Sequence, residues 1–130
     1  MPIKCNYAAK IIPRDNNAYG TIQADALSTT IDIEVDCIIS NPPWGRKILH
    51  PMITHFVETL KTPSWLLFDA NWAHTKQSIK YQPLLKKIVS VGRVKWIEGT
   101  KMTGKEDCAW YFFTPEKQKS AIKFYGRTSV

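Results

Sequence analysis

Asparagine, two prolines and a tryptophan stand together at Asn41-Pro42-Pro43-Trp44, directly after an apolar run. The side-chain carbonyl of Asn41 can accept a hydrogen bond from an exocyclic amine. The two prolines lack N–H groups and stiffen the chain, so their carbonyl oxygens project from a rigid, extended backbone. Trp44 adds a flat apolar surface. These residue types suit the binding of a planar heterocycle that carries an NH₂ group.

The same segment also has a purely structural explanation. Each proline disfavours helix in the residue before it, so Pro42 and Pro43 would end a strand. Trp44 would then pack inward in an ordinary strand-to-helix loop. The residue types alone leave both interpretations open.

The runs of residues around this segment predict alternating strands and helices. Apolar and β-branched runs predict strands over residues 20–24, 35–40, 64–69, 88–97 and 108–113. Spacing predicts helices over residues 47–60 and 76–87, with Pro83 able to split the second. This order predicts an α/β sheet, mainly parallel, that ends in an antiparallel hairpin.

Polar residues follow three of the predicted strands. In open α/β sheets the ligand binds at the carboxyl ends of the strands. Asp25, Asn41 and Asp69 occupy such positions. Trp65 and Trp110 lie inside predicted strands, and we expect them to belong to the core rather than to a binding surface.

The chain has 130 residues and a net charge of +7. That length predicts one domain over residues 1–130, with a core of about 20–114 and a basic tail over 115–130. Residues 76–130 carry twelve basic and four acidic side chains, whereas residues 1–75 carry six and seven. This asymmetry suggests a face for a polyanionic partner, and a merely solvated surface is the alternative.

Other features exclude several classes of protein. No apolar run approaches the ~20 residues that span a bilayer, and we expect no signal peptide, because the first apolar stretch is short and interrupted by polar residues. The three cysteines have no CxxC spacing, so we expect reduced thiols, no metal site and a cytoplasmic location. We expect surface or packing roles for His50, His55 and His74.

The run Val35–Gly45, in which NPPW follows an apolar strand, resembles the catalytic motif of the S-adenosylmethionine-dependent amino-methyltransferases. These are the N6-adenine DNA methyltransferases and their relatives. The resemblance implies a Rossmann-like sheet, S-adenosyl-L-methionine as cofactor and DNA as substrate, with RNA not excluded. It implies that Asn41 and the carbonyl of Pro42 hold the target amine, that Pro43 completes the catalytic segment, and that Trp44 stacks on an extruded base.

The resemblance extends to other parts of residues 20–114. Gly20–Leu27 resembles the acidic motif of this family, which implies that Asp25 and Ala26, together with Asn41, contact the cofactor. The strands around Trp96 and Trp110 resemble the closing hairpin of these enzymes. The lysines of the loop within that hairpin, together with lysines of residues 76–95, are expected to meet nucleic-acid phosphates, namely Lys76, Lys80, Lys95, Lys101 and Lys105.

One motif of the family is absent from this sequence. The family's glycine-rich cofactor loop needs glycines one residue apart, and no two of the six glycines have that spacing. The sequence therefore resembles the second half of a methyltransferase domain. A half-domain exposes a sheet edge, which predicts a homodimer or a second subunit. The alternative is a non-catalytic nucleic-acid-binding remnant or decoy, so enzymatic activity of this chain stays open.

Overall fold

A computed structural model of the chain describes residues 14–15, 22–23, 35–94 and 106–128. The chain divides into two compact units, Met1–Thr30 and Ile31–Val130. In the first unit, β1 (Arg14–Asp15) and β2 (Ile22–Gln23) pair in parallel. The expectation of a single domain over the whole chain stays a prediction.

The second unit is a mixed α/β structure built on one five-stranded sheet. Its strands are β3 (Ile38–Ser40), β4 (Ser64–Asp69), β5 (Leu85–Arg93), β6 (Asp107–Phe113) and β7 (Lys123–Tyr125). Their order across the sheet is β3-β4-β6-β5-β7. The pairs β3–β4 and β5–β7 are parallel, and β6 runs antiparallel to both β4 and β5. An α/β sheet containing an antiparallel hairpin is thus confirmed.

One helix connects β3 with β4. Helix α1 (Arg46–Thr54) begins after Gly45 and continues as a wider π-helical turn, His55–Thr59. Pro51 lies inside α1, where a proline removes one backbone hydrogen bond and crowds the carbonyl group four residues earlier, yet α1 continues to Thr54. One side of this segment is buried, namely Leu49, Met52, Ile53, Phe56 and Val57. Ile48, which the apolar spacing also predicts on that side, is 44% exposed.

The segment between β4 and β5 differs from the helix predicted over 76–87. It forms three short 3₁₀ segments, Ala70–His74, Lys76–Lys80 and Gln82–Leu84. Hydroxyl groups explain the difference. The Thr75 hydroxyl donates to the Trp72 carbonyl at 2.7 Å, and the Ser78 hydroxyl donates to the Thr75 carbonyl at 2.7 Å. Side chains that bond nearby carbonyls in this way compete with a regular helix.

The core between the sheet and this segment is aromatic. The Trp72 ring meets Phe68, Tyr111 and Phe113 edge to face, with ring centroids 5.1, 5.2 and 6.0 Å apart. Phe68 stacks on Tyr111 at 4.2 Å. All four rings are fully buried. Edge-to-face and offset contacts of this kind add to the burial of apolar area, so this cluster fixes the 3₁₀ segment against one face of the sheet.

The other face of the sheet is less covered. Trp65 stacks on Phe112 with centroids 4.6 Å apart, and Trp110 lies on the same face, because alternate residues of a strand share a face. All three side chains are only half-buried, and the neighbouring Ile39 is 72% exposed. The sequence predicts Trp65 and Trp110 in the core. In the structure both instead pack on the half-covered face of the sheet.

Both outer strands have an open edge within the described residues. There, β3 pairs with β4 alone and β7 pairs with β5 alone. The sequence did not predict strand β7. Its residues Lys123, Phe124 and Tyr125 are all exposed, so no apolar pattern marks the strand, and only backbone pairing with β5 defines it. No helix in the described ranges is long and apolar enough to cross a bilayer.

Strand β5 bends at Gly92, where the pairing with β6 shifts register. Gly92 has a φ of +87°, and a Cβ there would stand 2.9 Å from the guanidinium carbon of Arg127. Gly45 differs, because it has a φ of −60° and a Cβ would meet nothing within 4 Å. Of these two glycines, only Gly92 has a backbone conformation that requires glycine.

We expect Gly92→Ala to lower the free energy of unfolding by about 1–2 kcal/mol, because an L-residue is strained in the left-handed region. Gly45→Ala is the matched control and should change stability by less than about 1 kcal/mol. Urea denaturation of both variants measures the difference. Equal free energies of unfolding for Gly92→Ala and Gly45→Ala would contradict the positive φ of Gly92.

Candidate functional site

The site lies where two parallel strands end. Because β3 and β4 are parallel, their carboxyl ends face the same edge of the sheet, and Asn41 follows β3 while Asp69 ends β4. A depression of about 470 Å³, open to solvent, is lined there by Asn41, Pro42, Pro43 and Trp44. All four residues predicted to form the catalytic segment therefore line one shallow, open surface.

The four residues differ in their exposure. Pro42 is buried and Trp44 is half-buried, whereas Asn41 and Pro43 are exposed. Within the described residues, the Asn41 side-chain amide makes no hydrogen bond, so its carbonyl oxygen and its NH₂ group are both available to a ligand. A rigid Pro-Pro backbone beside this amide gives further acceptors in fixed positions. The arrangement can hold a polar edge of a flat molecule.

Arg46 connects the two strand ends. Its Nη1 donates to the Trp44 carbonyl oxygen at 3.3 Å, and its Nη2 lies 3.7 Å from Oδ2 of Asp69. Both side chains are partly exposed, so the ion pair by itself contributes at most about 1 kcal/mol to stability. Its effect is on geometry, because one planar guanidinium contacts the loop after β3 and the end of β4.

Asp69 and Tyr111 order the end of β4. Oδ1 of Asp69 accepts a hydrogen bond from the Asn71 N–H at 2.9 Å, which caps the first 3₁₀ segment. The Tyr111 hydroxyl on β6 lies 2.8 Å from the carbonyl oxygen of Asp69 and 3.0 Å from that of Ala70. Burial raises the pKa of Tyr111, so this hydroxyl stays a hydrogen-bond donor.

His50 connects α1 with the aromatic core. The Trp72 indole N–H donates to Nε2 of His50 at 3.0 Å, and the His50 ring lies 4.9 Å from the Tyr81 ring. Burial lowers the pKa of His50, and the nearby charges of Arg46 and Lys80 lower it further. The neutral form, which has an acceptor nitrogen, is the one that this contact requires. His50 thus has a packing role, as the sequence predicted.

The remaining predicted site residues fall into two groups. Lys76 and Lys80 are exposed in the second 3₁₀ segment, and the Lys80 ammonium lies 5.6 Å from the centre of the Tyr81 ring. The others lie outside the described residues: Asp25, Ala26, Lys95, Lys101 and Lys105. Their roles stay predictions. The structure thus describes the whole NPPW segment, and of the residues expected to contact the cofactor it describes Asn41 alone.

The two cysteines of the described residues are free thiols. Cys108 is buried and Cys37 is half-buried, and burial raises the pKa of both. A raised pKa disfavours the thiolate, which is the nucleophilic form. Among the described residues, no three His, Cys, Asp or Glu side chains come close enough to hold a metal ion.

Comparison with protein-family models, with curated proteins and with solved structures gives no match to this chain. The function is therefore argued from the site itself.

Two residues of the site were not foreseen from the sequence. Arg46 follows the NPPW segment by two positions, and Tyr111 lies in the middle of an apolar strand. A tyrosine in a buried strand needs a hydrogen-bond partner, which is a signal in principle. The partners of Tyr111, however, are carbonyl groups about forty positions away, and only the pairing of β4 with β6 brings them close.

We expect Tyr111→Phe to lower the free energy of unfolding by about 1–2 kcal/mol, because the carbonyl groups at the end of β4 lose their donor. Tyr125→Phe is the matched control, since Tyr125 is exposed on β7. Urea denaturation compares the two variants. If both changes cost the same, the Tyr111 hydroxyl contributes nothing to the order of this edge.

The lowered pKa of His50 gives a pH dependence with a definite sign. The unfolded chain binds a proton near pH 6.5, whereas the folded chain binds it only at lower pH. Folding stability should therefore fall as the pH decreases below about 6.5, and the loss should end once the folded-state pKa is passed. His50→Gln keeps an acceptor but does not titrate, so its stability should vary less over this range. Identical profiles from urea denaturation at stepped pH would refute this origin.

Proposed function

We propose that this chain is the target-recognising part of an S-adenosylmethionine-dependent methyltransferase that acts on the N6 amine of adenine in DNA. One observation carries the proposal. The four residues of the NPPW segment line a single open depression at the carboxyl ends of two parallel strands, with the Asn41 amide exposed in it. Resemblance of the sequence to the family's catalytic motif supports the same function.

In this proposal the chain binds and orients the base. The Asn41 side-chain carbonyl and the Pro42 backbone carbonyl accept the two hydrogens of the amine, and Trp44 stacks on the ring. An amine inside a duplex is reached by extrusion of the base. The bound cofactor supplies an electrophilic methyl group. Orientation of the amine toward that group is the contribution of this chain, and positioning alone can supply a large part of a rate enhancement.

The described residues do not form a cofactor site. Of the residues expected to contact the cofactor, only Asn41 is described, and the sequence contains no glycine pair of the required spacing. The proposal therefore includes a partner, either a second copy or another subunit, that completes the cofactor site. The edge of β3, which pairs only with β4 in the described part, offers backbone groups for such a partner.

Some of the strand pairings support a Rossmann-like methyltransferase domain. The parallel pair β3–β4 and the antiparallel hairpin β5–β6 beside it agree with the closing part of that fold. Gly92 near the end of β5 and Asp69 at the end of β4 both pair with Cys108. The hairpin strands thus meet the same edge as the NPPW segment.

Charge supports nucleic acid as the partner. The exposed Lys76 and Lys80 follow the end of β4, and the positive excess of the chain lies entirely in residues 76–130. Lysines of this kind bind phosphates without reading sequence, so base recognition is left to the NPPW segment.

The test measures recognition of the amine directly. Two short single-stranded oligonucleotides carry either adenine or purine, which lacks the amine, at one central position. The purine oligonucleotide cannot donate the two hydrogen bonds of the amine. We therefore expect the wild-type chain to bind the adenine oligonucleotide about tenfold more tightly than the purine oligonucleotide. Asn41→Ala removes one of the two acceptors and should reduce this preference to about threefold or less. Asn71→Ala is the matched control, because Asn71 is exposed at the same edge but does not line the depression. Fluorescence anisotropy gives the affinities.

A wild-type chain that binds both oligonucleotides equally contradicts amine recognition. If the chain still binds with a salt slope of about 0.7 per phosphate contact, the alternative of a non-catalytic nucleic-acid-binding decoy is favoured. The absent glycine pair is the observation behind that alternative. Calorimetric titration with S-adenosylmethionine separates the remaining cases, since binding by the chain alone would contradict the need for a partner.

A further inference from the structure

The guanidinium group of Arg46 makes two contacts at the site edge. One N–H is donated to the Trp44 carbonyl oxygen at 3.3 Å, and the other terminal nitrogen lies 3.7 Å from the Asp69 carboxylate. Trp44 closes the NPPW segment, whereas Asp69 ends the neighbouring strand. Arg46 therefore joins a loop to a strand from its place at the start of α1.

The strand end that Arg46 contacts is well supported. The Asp69 carboxylate also accepts the Asn71 N–H at 2.9 Å, and its main-chain carbonyl oxygen lies 2.8 Å from the Tyr111 hydroxyl. Tyr111 itself is fully buried in the aromatic core. Asp69 is thus held in place by these hydrogen bonds. Arg46 contacts both Asp69 and the Trp44 carbonyl, and so links the NPPW segment to this strand end.

The NPPW segment has few internal means of holding its direction. Pro42 and Pro43 fix φ within the segment but have no N–H groups with which to bond the sheet. The segment is therefore a stiff unit whose direction depends on its two ends. Strand β3 holds the end at Asn41. At the other end, the Trp44 carbonyl accepts from Arg46, and the Gly45 carbonyl accepts from the Ile48 and Leu49 N–H groups of α1.

We propose that Arg46 is a positioning residue that sets the direction in which Asn41 and Pro42 present their acceptors to the target amine. This inference rests on the proposed function. Arg46 does not line the depression, and its charge faces Asp69, so it acts through the loop and not on the ligand. Lysine cannot replace it, because a single ammonium lacks the planar pair of donors that reaches both acceptors.

The experiment uses the adenine and purine oligonucleotides with Arg46→Met, Arg46→Lys and Lys47→Met. Arg46→Met and Arg46→Lys should each reduce the tenfold preference for adenine to about twofold or less. The slope of binding against salt should stay as in the wild type for both, because Arg46 contacts no phosphate. Lys47→Met is the control, since Lys47 is the exposed neighbour of Arg46 and should keep the preference.

A second measurement needs no ligand. The side-chain amide resonances of Asn41 in ¹⁵N-correlated NMR spectra should shift in Arg46→Met and should stay in place in Lys47→Met. Resonances of β4 and β6 report that the fold is intact.

The outcomes separate the inference from the proposed function. If the wild type prefers adenine and both Arg46 variants keep that preference, the positioning role is wrong and the proposed function stands. If the salt slope of Arg46→Met falls by about 0.7, Arg46 binds a phosphate and the inference is overturned. If the wild type has no preference for adenine, the proposed function fails. Unchanged Asn41 resonances in Arg46→Met overturn the inference whatever the oligonucleotides show.

Discussion

The parallel pairing of β3 with β4 is the constraint on which the site depends. Ile38, Ile39 and Ser40 pair with Ser64, Trp65 and Leu66, and this register sends both strands toward one edge. A parallel pair needs a crossover connection, which α1 and its π-helical turn provide. A slip of one residue would exchange the two faces of β3 and move the loop that follows it. The position of Asn41 relative to Asp69 is therefore determined by the backbone pairing of the two strands and not by contacts between side chains of the site.

The aromatic core carries that constraint from the interior to the edge. Phe68, Trp72, Tyr111 and Phe113 fill the space between the sheet and the 3₁₀ segments. Tyr111 belongs to this core by its ring and to the site by its hydroxyl, which lies next to the carbonyl groups at the end of β4. Packing and site geometry are thus coupled through one residue, so a change in the core reaches the NPPW segment by way of Asp69.

Elements with strong apolar character were predictable from the sequence, and elements held by polar contacts were not. Strand β4 matches the predicted range 64–69, because four of its six residues form a continuous apolar run and Pro63 precedes the strand. The predicted helix over 76–87 is absent, since Thr75 and Ser78 bond main-chain carbonyl groups and divide the segment into 3₁₀ turns. Strand β7 is defined by backbone pairing with β5 alone, which leaves no trace in side-chain periodicity.

The sequence by itself determined the chemistry of the candidate site. Asn41, the two prolines and Trp44 are adjacent in the chain, so their combination of acceptors, stiffness and aromatic surface needs no fold to be recognised. Only the tertiary structure decided which groups support that segment. Arg46 meets Asp69 across the loop, and the Tyr111 hydroxyl reaches the same strand end from β6. Such contacts join residues distant in the chain, and their existence depends on strand order and register, which no local pattern of residues encodes.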